Sequence, residues 1–257
     1  HWLDLTGYAD QVGTANKVFA QYAWRYRDYL IDTFNNDKPF EQFTREQIAG
    51  DLIPGGTGEE RAAALTATGF LLLDNIEIGT SDKDQMRADV IDQQLNKVGI
   101  AFLGMTLGCV RCHDHKFDPI TTQDYYAIAG IFKNTRNGEH PLVPQAVVDA
   151  FTKGQEAIRD QNNAVNRFLD DETKRLKVKR NEVEKLLEEG PKKKVVEMRA
   201  ELERLRKTAP KKYEIAHVLQ DAGKNDMHVA LRGDLRKKGE LVPRRFIQIL
   251  AGETPPL

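Results

Sequence analysis

Apolar positions along this chain recur for the most part at helical spacing. His1–Leu5 reads as the interior of an amphipathic helix, ending in a Gly-containing turn near Asp10 and Gly13. From Ala15 to about Phe34, the residues Val18, Phe19, Tyr22, Ala23, Tyr26, Tyr29, Leu30 and Ile31 predict one aromatic-faced helix. Thr44, with Gln47 three places on, marks a helix start, and Pro54-Gly55-Gly56 stops the helix after Leu52. A short helix from Glu59 to about Thr68 leads into the apolar run Phe70–Leu73, and the polar stretch 74–82 is irregular. Asp84 then introduces a long helix, Gln85 to about Leu107, which turns apolar all round near its end and therefore enters the core. A further helix spans Thr122–Lys133 with the face Tyr125, Tyr126, Ile128, Ala129, Ile131 and Phe132.

After Pro144 the pattern changes. Between about Ala146 and Glu189, Val165, Phe168, Leu169, Leu176, Val183, Leu186 and Leu187 stand at near-heptad intervals in a charge-rich background. Gly190-Pro191 breaks that run before a second charged helix from about Lys192 to Lys207, so the pair predicts an antiparallel helical hairpin closed by a tight Gly-Pro turn. Its charges read as a solvated outer face or as a docking arm for a partner. Beyond Pro210, the runs Tyr213–Leu219 and Met227–Leu231 are strand-like and are separated by the turn-forming loop 221–226, which makes a small antiparallel element. The expected fold class is mainly α: a helical body over 1–143, a protruding charged hairpin over 144–209, and a small C-terminal β element over 210–257 that returns to the body.

Composition narrows the classes. The 257 residues are 40% hydrophobic and 30% charged with a formal net charge of -1, which argues against nucleic acid as a general partner. No apolar run approaches the length of a membrane span. The opening at His1 inside a helical pattern, and the Pro255-Pro256-Leu257 tail, lead us to expect a piece of a longer chain with a further C-terminal domain. Both cysteines fall in Cys109-Val110-Arg111-Cys112-His113, the attachment signature of heme c. Two thiols three positions apart can each add to one vinyl group of a porphyrin, and the adjacent His113 can ligate the iron. Three alternatives use the same residues. One is a redox dithiol, which calls for a strand before the motif and a helix opening at the first cysteine. Another is a zinc site from Cys109, Cys112, His113 and His115, cramped for a tetrahedron; the last is a strained disulfide. With heme in place, Arg25 or Arg27 is a candidate partner for a propionate, or else simply pairs with Asp28 and Asp32. Tyr125 and its helix face offer a porphyrin wall or ordinary core packing.

The stretch Gly104–Ile120, followed by Asp124-Tyr125-Tyr126, closely resembles the PSCyt-type planctomycete cytochrome c family. Similar stretches are His1–Leu5 with Tyr8-Ala9-Asp10, Ala23–Asp28 with Phe43 and Glu46–Leu52, and His228–Asp234 with Val242-Pro243. The resemblance implies large exported proteins in which this domain of unknown function precedes a second one, called PSD. It also makes His228 the first candidate for a sixth iron ligand and His1 the second, each against the alternative of a structural histidine. The expected function is an exported, periplasmic c-type cytochrome module passing electrons to or from an attached domain or a redox partner protein. A heme oxidoreductase with a distal-face substrate site, with carbohydrate metabolism hinted at by the family setting, is the alternative. A heme-free zinc-binding or structural module is a third reading.

Overall fold

In a computed structural model of the chain, the described residues are 1–9, 11–12, 18–55, 58–73 and 82–252, with the backbone alone at 11–12 and 18–19. The Gly13 turn, the polar stretch after Leu73 up to Ser81 and the Pro255-Pro256-Leu257 tail, all singled out above, lie outside the described residues. The fold is mainly α. In chain order the elements are α1 (Trp2–Thr6), β1 (Gln11–Val12), β2 (Val18–Phe19), α2 (Ala23–Asn35), α3 (Phe40–Ala49) and α4 (Gly58–Ala67). Then come α5 (Lys83–Val98), α6 (Thr122–Lys133), β3 (Thr135–Pro141), α7 (Gln145–Leu176), α8 (Val183–Leu186) and α9 (Glu189–Thr208). β4 (Ile215–Asp221), β5 (Met227–Ala230), β6 (Lys238–Val242) and α10 (Gln248–Ala251) complete them. The chain divides into two compact units, one of residues 1–140 with 215–257, the other of residues 141–214.

In the first unit, side-chain caps open α5 and α6. α6 opens on a capping box: Asp124 N–H donates to Thr121 Oγ1 (3.2 Å), and Thr121 N–H donates to Asp124 Oδ2 (3.0 Å). α5 is capped by Asp82, whose carboxylate accepts from the backbone N–H groups of Asp84 and Gln85, so its cap falls two residues before the predicted one. It also ends earlier than its pattern suggests. Helix gives way to a π-turn over Gly99–Leu103, closed by Gly104 at φ 65°. The chain then folds back over Gly99, where a Cβ would stand 2.6 Å from the Met105 carbonyl oxygen. The apolar run near Leu107 thus fills a reversal, not a longer helix.

Two other expectations shift in this unit. Val18 and Phe19 belong to β2, paired antiparallel with β1, and α2 starts only at Ala23. Their spacing mimics a helix because the first apolar residues of α2 follow at once. α3 opens after Pro39, whose missing N–H costs nothing at a helix start, so Thr44 lies inside it. The two C-terminal runs are strands, but they do not pair with each other: β4 pairs with β3, and β5 with β6. Asn134 holds the intervening loop, its side chain donating to the Asn225 carbonyl (2.7 Å) and accepting from the Asn225 N–H (2.8 Å).

The core of this unit is aromatic. Trp2 packs on Phe43, Phe70 and Phe102, and its indole N–H donates to the Tyr26 hydroxyl (3.1 Å). Several buried polar groups are paired: the Tyr26 hydroxyl donates to Gln47 Oε1, and the Tyr29 hydroxyl to Glu46, which Lys38 also pairs with. Lys97 reaches the Phe70 and Leu73 carbonyls at the end of a 3-10 turn over Thr68–Leu71.

In the second unit α7 and α9 run antiparallel, since their contacts pair in reverse order: Phe151 with Tyr213, Gly154 with Pro210, Gln161 with Met198. Val165, Leu169, Val183 and Val195 form the seam. The turn is not Gly190-Pro191. Those residues lie in the first turn of α9, where a backbone N–H has no intrahelical partner and proline's lack of one costs nothing, and the connection runs through Lys177 in the left-handed region and α8.

Candidate functional site

Cys109 and Cys112 sit on a 3-10 turn, Gly108–Arg111, with Cys112 as its closing residue. Side chains three apart eclipse in such a turn, so the two thiols share a side. Both are exposed, and neither is bonded to the other. Val110 between them is fully buried and pins the turn to the core. α5 holds it from below. Asn96 accepts from Gly108 N–H (2.7 Å), and Asp89 takes the Arg111 guanidinium (2.8 Å). Burial alone would lower the pKa of Arg111, but Asp89, with Tyr125 and Asp92 beside it, more than offsets this and holds it above its ordinary value. From α6, the Tyr126 hydroxyl reaches the Arg111 carbonyl (3.1 Å) and the Ala230 carbonyl (3.4 Å), tying the motif to the end of β5.

His113 and His115 present their Nδ1 atoms to different partners. His113 Nδ1 lies 2.8 Å from the Asp114 carbonyl oxygen, which can only accept, so in the neutral ring Nδ1 carries the proton and Nε2 is bare. His115 Nδ1 faces the backbone N–H groups of Asp118 (2.8 Å) and Phe117 (3.3 Å). Metal-binding histidines commonly give their second ring N–H to a carbonyl, the state of His113. His115 instead braces the turn that follows and lies 3.2 Å from the Asp118 carboxylate.

His228, exposed on β5 opposite Leu241, donates from Nδ1 to the Gly239 carbonyl (3.0 Å) and also presents a bare Nε2. It lines a pocket of about 300 Å³ with Arg87, Ile91, Lys133, Leu235 and Lys238. His1 is exposed at the start of α1. Arg25 lies with its guanidinium 4.5 Å over the Trp24 ring, and Arg27 pairs with Asp28 at 3.2 Å. His1 and Arg27 make no hydrogen bond or ion pair to the motif turn among the described residues. Tyr125 is buried edge-on to Tyr126, and its hydroxyl donates to Asp92 (2.6 Å). Burial, reinforced by Asp92, pushes its pKa far up. Among the described residues no three of His, Cys, Asp and Glu converge as a metal-binding group, so the four zinc-type candidates do not form a cage.

The supports of the turn were hidden among ordinary positions. Asp89, Asp92 and Asn96 nevertheless leave a legible trace, a polar stripe at i, i+3 and i+7 on a helix that is otherwise entering the core. A family model described as PSCyt2, protein of unknown function (DUF1549), matches residues 1–137, a span that contains the motif turn and its α5 and α6 supports. No curated protein matches, and no solved structure matches. With more than half of its 257 residues inside that match, the chain belongs to the PSCyt2 family of unknown function.

Proposed function

We propose that this chain is an exported c-type cytochrome module that carries electrons to or from an attached domain or a redox partner. The observation that carries the reading is the pair of exposed thiols on one side of a rigid turn, next to a histidine whose tautomer leaves Nε2 free. These residues fit heme c: Cys109 and Cys112 would hold it by thioethers, and His113 Nε2 would be the iron ligand. Bound there, the heme would supply a one-electron couple. The chain's own part is to keep the thiols and imidazole in register, through buried Val110, the Asn96 bond to Gly108 and the Asp89–Arg111 pair. Phe117, 83% exposed, and Leu231 and Leu241, each about half exposed, are apolar surface available close to the motif in sequence or in the β5–β6 hairpin. His228, with its own bare Nε2, is the first candidate for the sixth ligand, and His1 the second. Export follows from the chemistry, because bacteria attach heme to apocytochromes outside the cytoplasm.

The test is maturation in an exporting host that attaches heme. The purified chain should show a heme-increased intact mass and a sharp low-spin reduced spectrum that carbon monoxide leaves unchanged. The double variant C109S/C112S should carry no covalent heme, and His228→Ala should change the spectrum. A wild-type chain with the bare polypeptide mass overturns the proposal. One observation favours a second reading, a heme oxidoreductase: the pocket beside His228 sets Lys133 and Lys238 near Ile91 and Leu235, with Asp84 and the carbonyl-bound Arg87 also lining it, as a site for a small polar substrate would. A high-spin spectrum that shifts with carbon monoxide selects it.

A further inference from the structure

The backbone of Gly233 lies against the sulfur of Cys112. A Cβ built on Gly233 would stand 2.6 Å from Cys112 Sγ, well inside the contact distance of about 3.5–4.0 Å for carbon-sized atoms. Gly233 is also at φ 77°, and the preceding Arg232 occupies the left-handed region at φ 56° and ψ 30°, where residues other than glycine are uncommon. The loop is held in this shape. Leu231 N–H donates to the Lys237 carbonyl (2.9 Å), Lys237 N–H to the Asp234 carbonyl (2.9 Å), and Tyr126 links Ala230 to Arg111. Strain of this kind that surroundings maintain points to a use for the conformation.

We propose that Gly233 is a positioning residue for Cys112: by leaving the sulfur room against bare backbone, it keeps the thiol where the second thioether forms. The proposal rests on the heme c reading. It also extends the site past the family-matched residues 1–137, to a loop that returns after the whole second unit. The step it serves is an addition: the Cys112 S–H adds across a vinyl double bond, sulfur to the carbon next to the ring and hydrogen to the terminal carbon. No oxidant is consumed and no group leaves. A side chain at 233 displaces the sulfur, and attachment then proceeds through Cys109 alone.

Gly233→Ala is compared with Gly55→Ala, a glycine of nearly equal φ (76°) with nothing within 4 Å of its added Cβ. After maturation and denaturing alkylation, wild type and G55A should show no free thiol. G233A should show one, mapped to Cys112, with the pyridine hemochrome band moved to the red by the unreacted vinyl group. G233A with both thiols blocked and a wild-type band overturns the proposal. If wild type itself carries no heme, both thiols alkylate in every variant and it is the heme reading that fails. The contact is then judged on the unloaded chain: G233A should lower the urea midpoint more than G55A does, and adding Cys112→Ala to G233A should recover the excess. Should G233A alone not fold, recovery of folding in C112A/G233A is the same measurement; no recovery overturns the contact.

Discussion

Residues 141–214 are held by a seam of aliphatic side chains, Val165, Leu169, Val183 and Val195, laid between α7, α8 and α9. Residues 1–140 with 215–257 instead bury Tyr26, Phe70, Leu95 and Tyr126 in a continuous core where hydroxyls such as those of Tyr26 and Tyr126 find partners across long stretches of chain. Several ion pairs of the hairpin, such as Arg204–Glu201 and Arg206–Glu203, lie three residues apart on its exposed surface, and others, such as Arg199–Glu184, join neighbouring segments there. Those of the other unit include the buried Asp124 with Arg245. Both cysteines, all six histidines and both tryptophans fall in the aromatic unit. The contrast teaches where chemistry can be precise: a reactive turn needs supports that do not move, and a one-row seam offers few.

Phe70→Ala and Leu169→Ala probe the two cores, and should cost about 4 and about 3 kcal/mol respectively. Because Trp2 and Trp24 are the only tryptophans, fluorescence follows the aromatic unit alone while far-ultraviolet circular dichroism follows both. Phe70→Ala should move the fluorescence transition, whereas Leu169→Ala should melt part of the helix signal and leave fluorescence in place. A fluorescence transition that shifts with Leu169→Ala would mean that the two units unfold as one.

Asp124 separates buried from surface charge by its response to acid. Burial alone would raise its carboxyl, but bonds from the Thr121 N–H, Arg245 and the Gln248 N–H more than compensate and hold it below the usual range. A carboxyl with a depressed folded pKa adds stability that is complete above the unfolded value of about 4 and is lost as pH falls through the folded value. Asp124→Asn should therefore cost about 2 kcal/mol near neutral pH, a deficit that shrinks in denaturation curves taken below about pH 4. A deficit independent of pH would place its role in shape alone.

Arg232→Gly should stabilise the aromatic unit by about 0.5 kcal/mol, because relief of a left-handed backbone exceeds the added freedom of glycine in the unfolded chain. Thermal melts followed by fluorescence read it, and a loss would mean that the arginine side chain contributes more than the strain costs. Smallest of all, Arg204→Ala should leave the hairpin's thermal transition unchanged, as expected for an exposed pair three residues apart.

The helices were readable wherever a local cap agreed with the period. α6 spans the residues predicted for it because Thr121, Asp124 and the apolar face all act within one turn of each other. Where two local signals competed, the period misled: Val18 and Phe19 lie in a strand, and Gly190-Pro191 opens a helix that it was expected to precede. In the site, the grouping of Cys109, Cys112 and His113 in one turn was legible from their spacing. The tautomer of His113 was not, since it depends on where one carbonyl, that of Asp114, points.

The sequence by itself determined a mainly helical chain and a thiol–thiol–imidazole motif, because both are written in residues a few positions apart. Only the tertiary structure decided that β4 joins β3 and β5 joins β6, that Asn96 and Asp89 grip the motif turn, and that Gly233 touches Cys112. Each of these joins parts of the chain that share no local period or cap. They are chosen by which buried surfaces and backbone groups can all be satisfied at once, a condition that exists only in three dimensions.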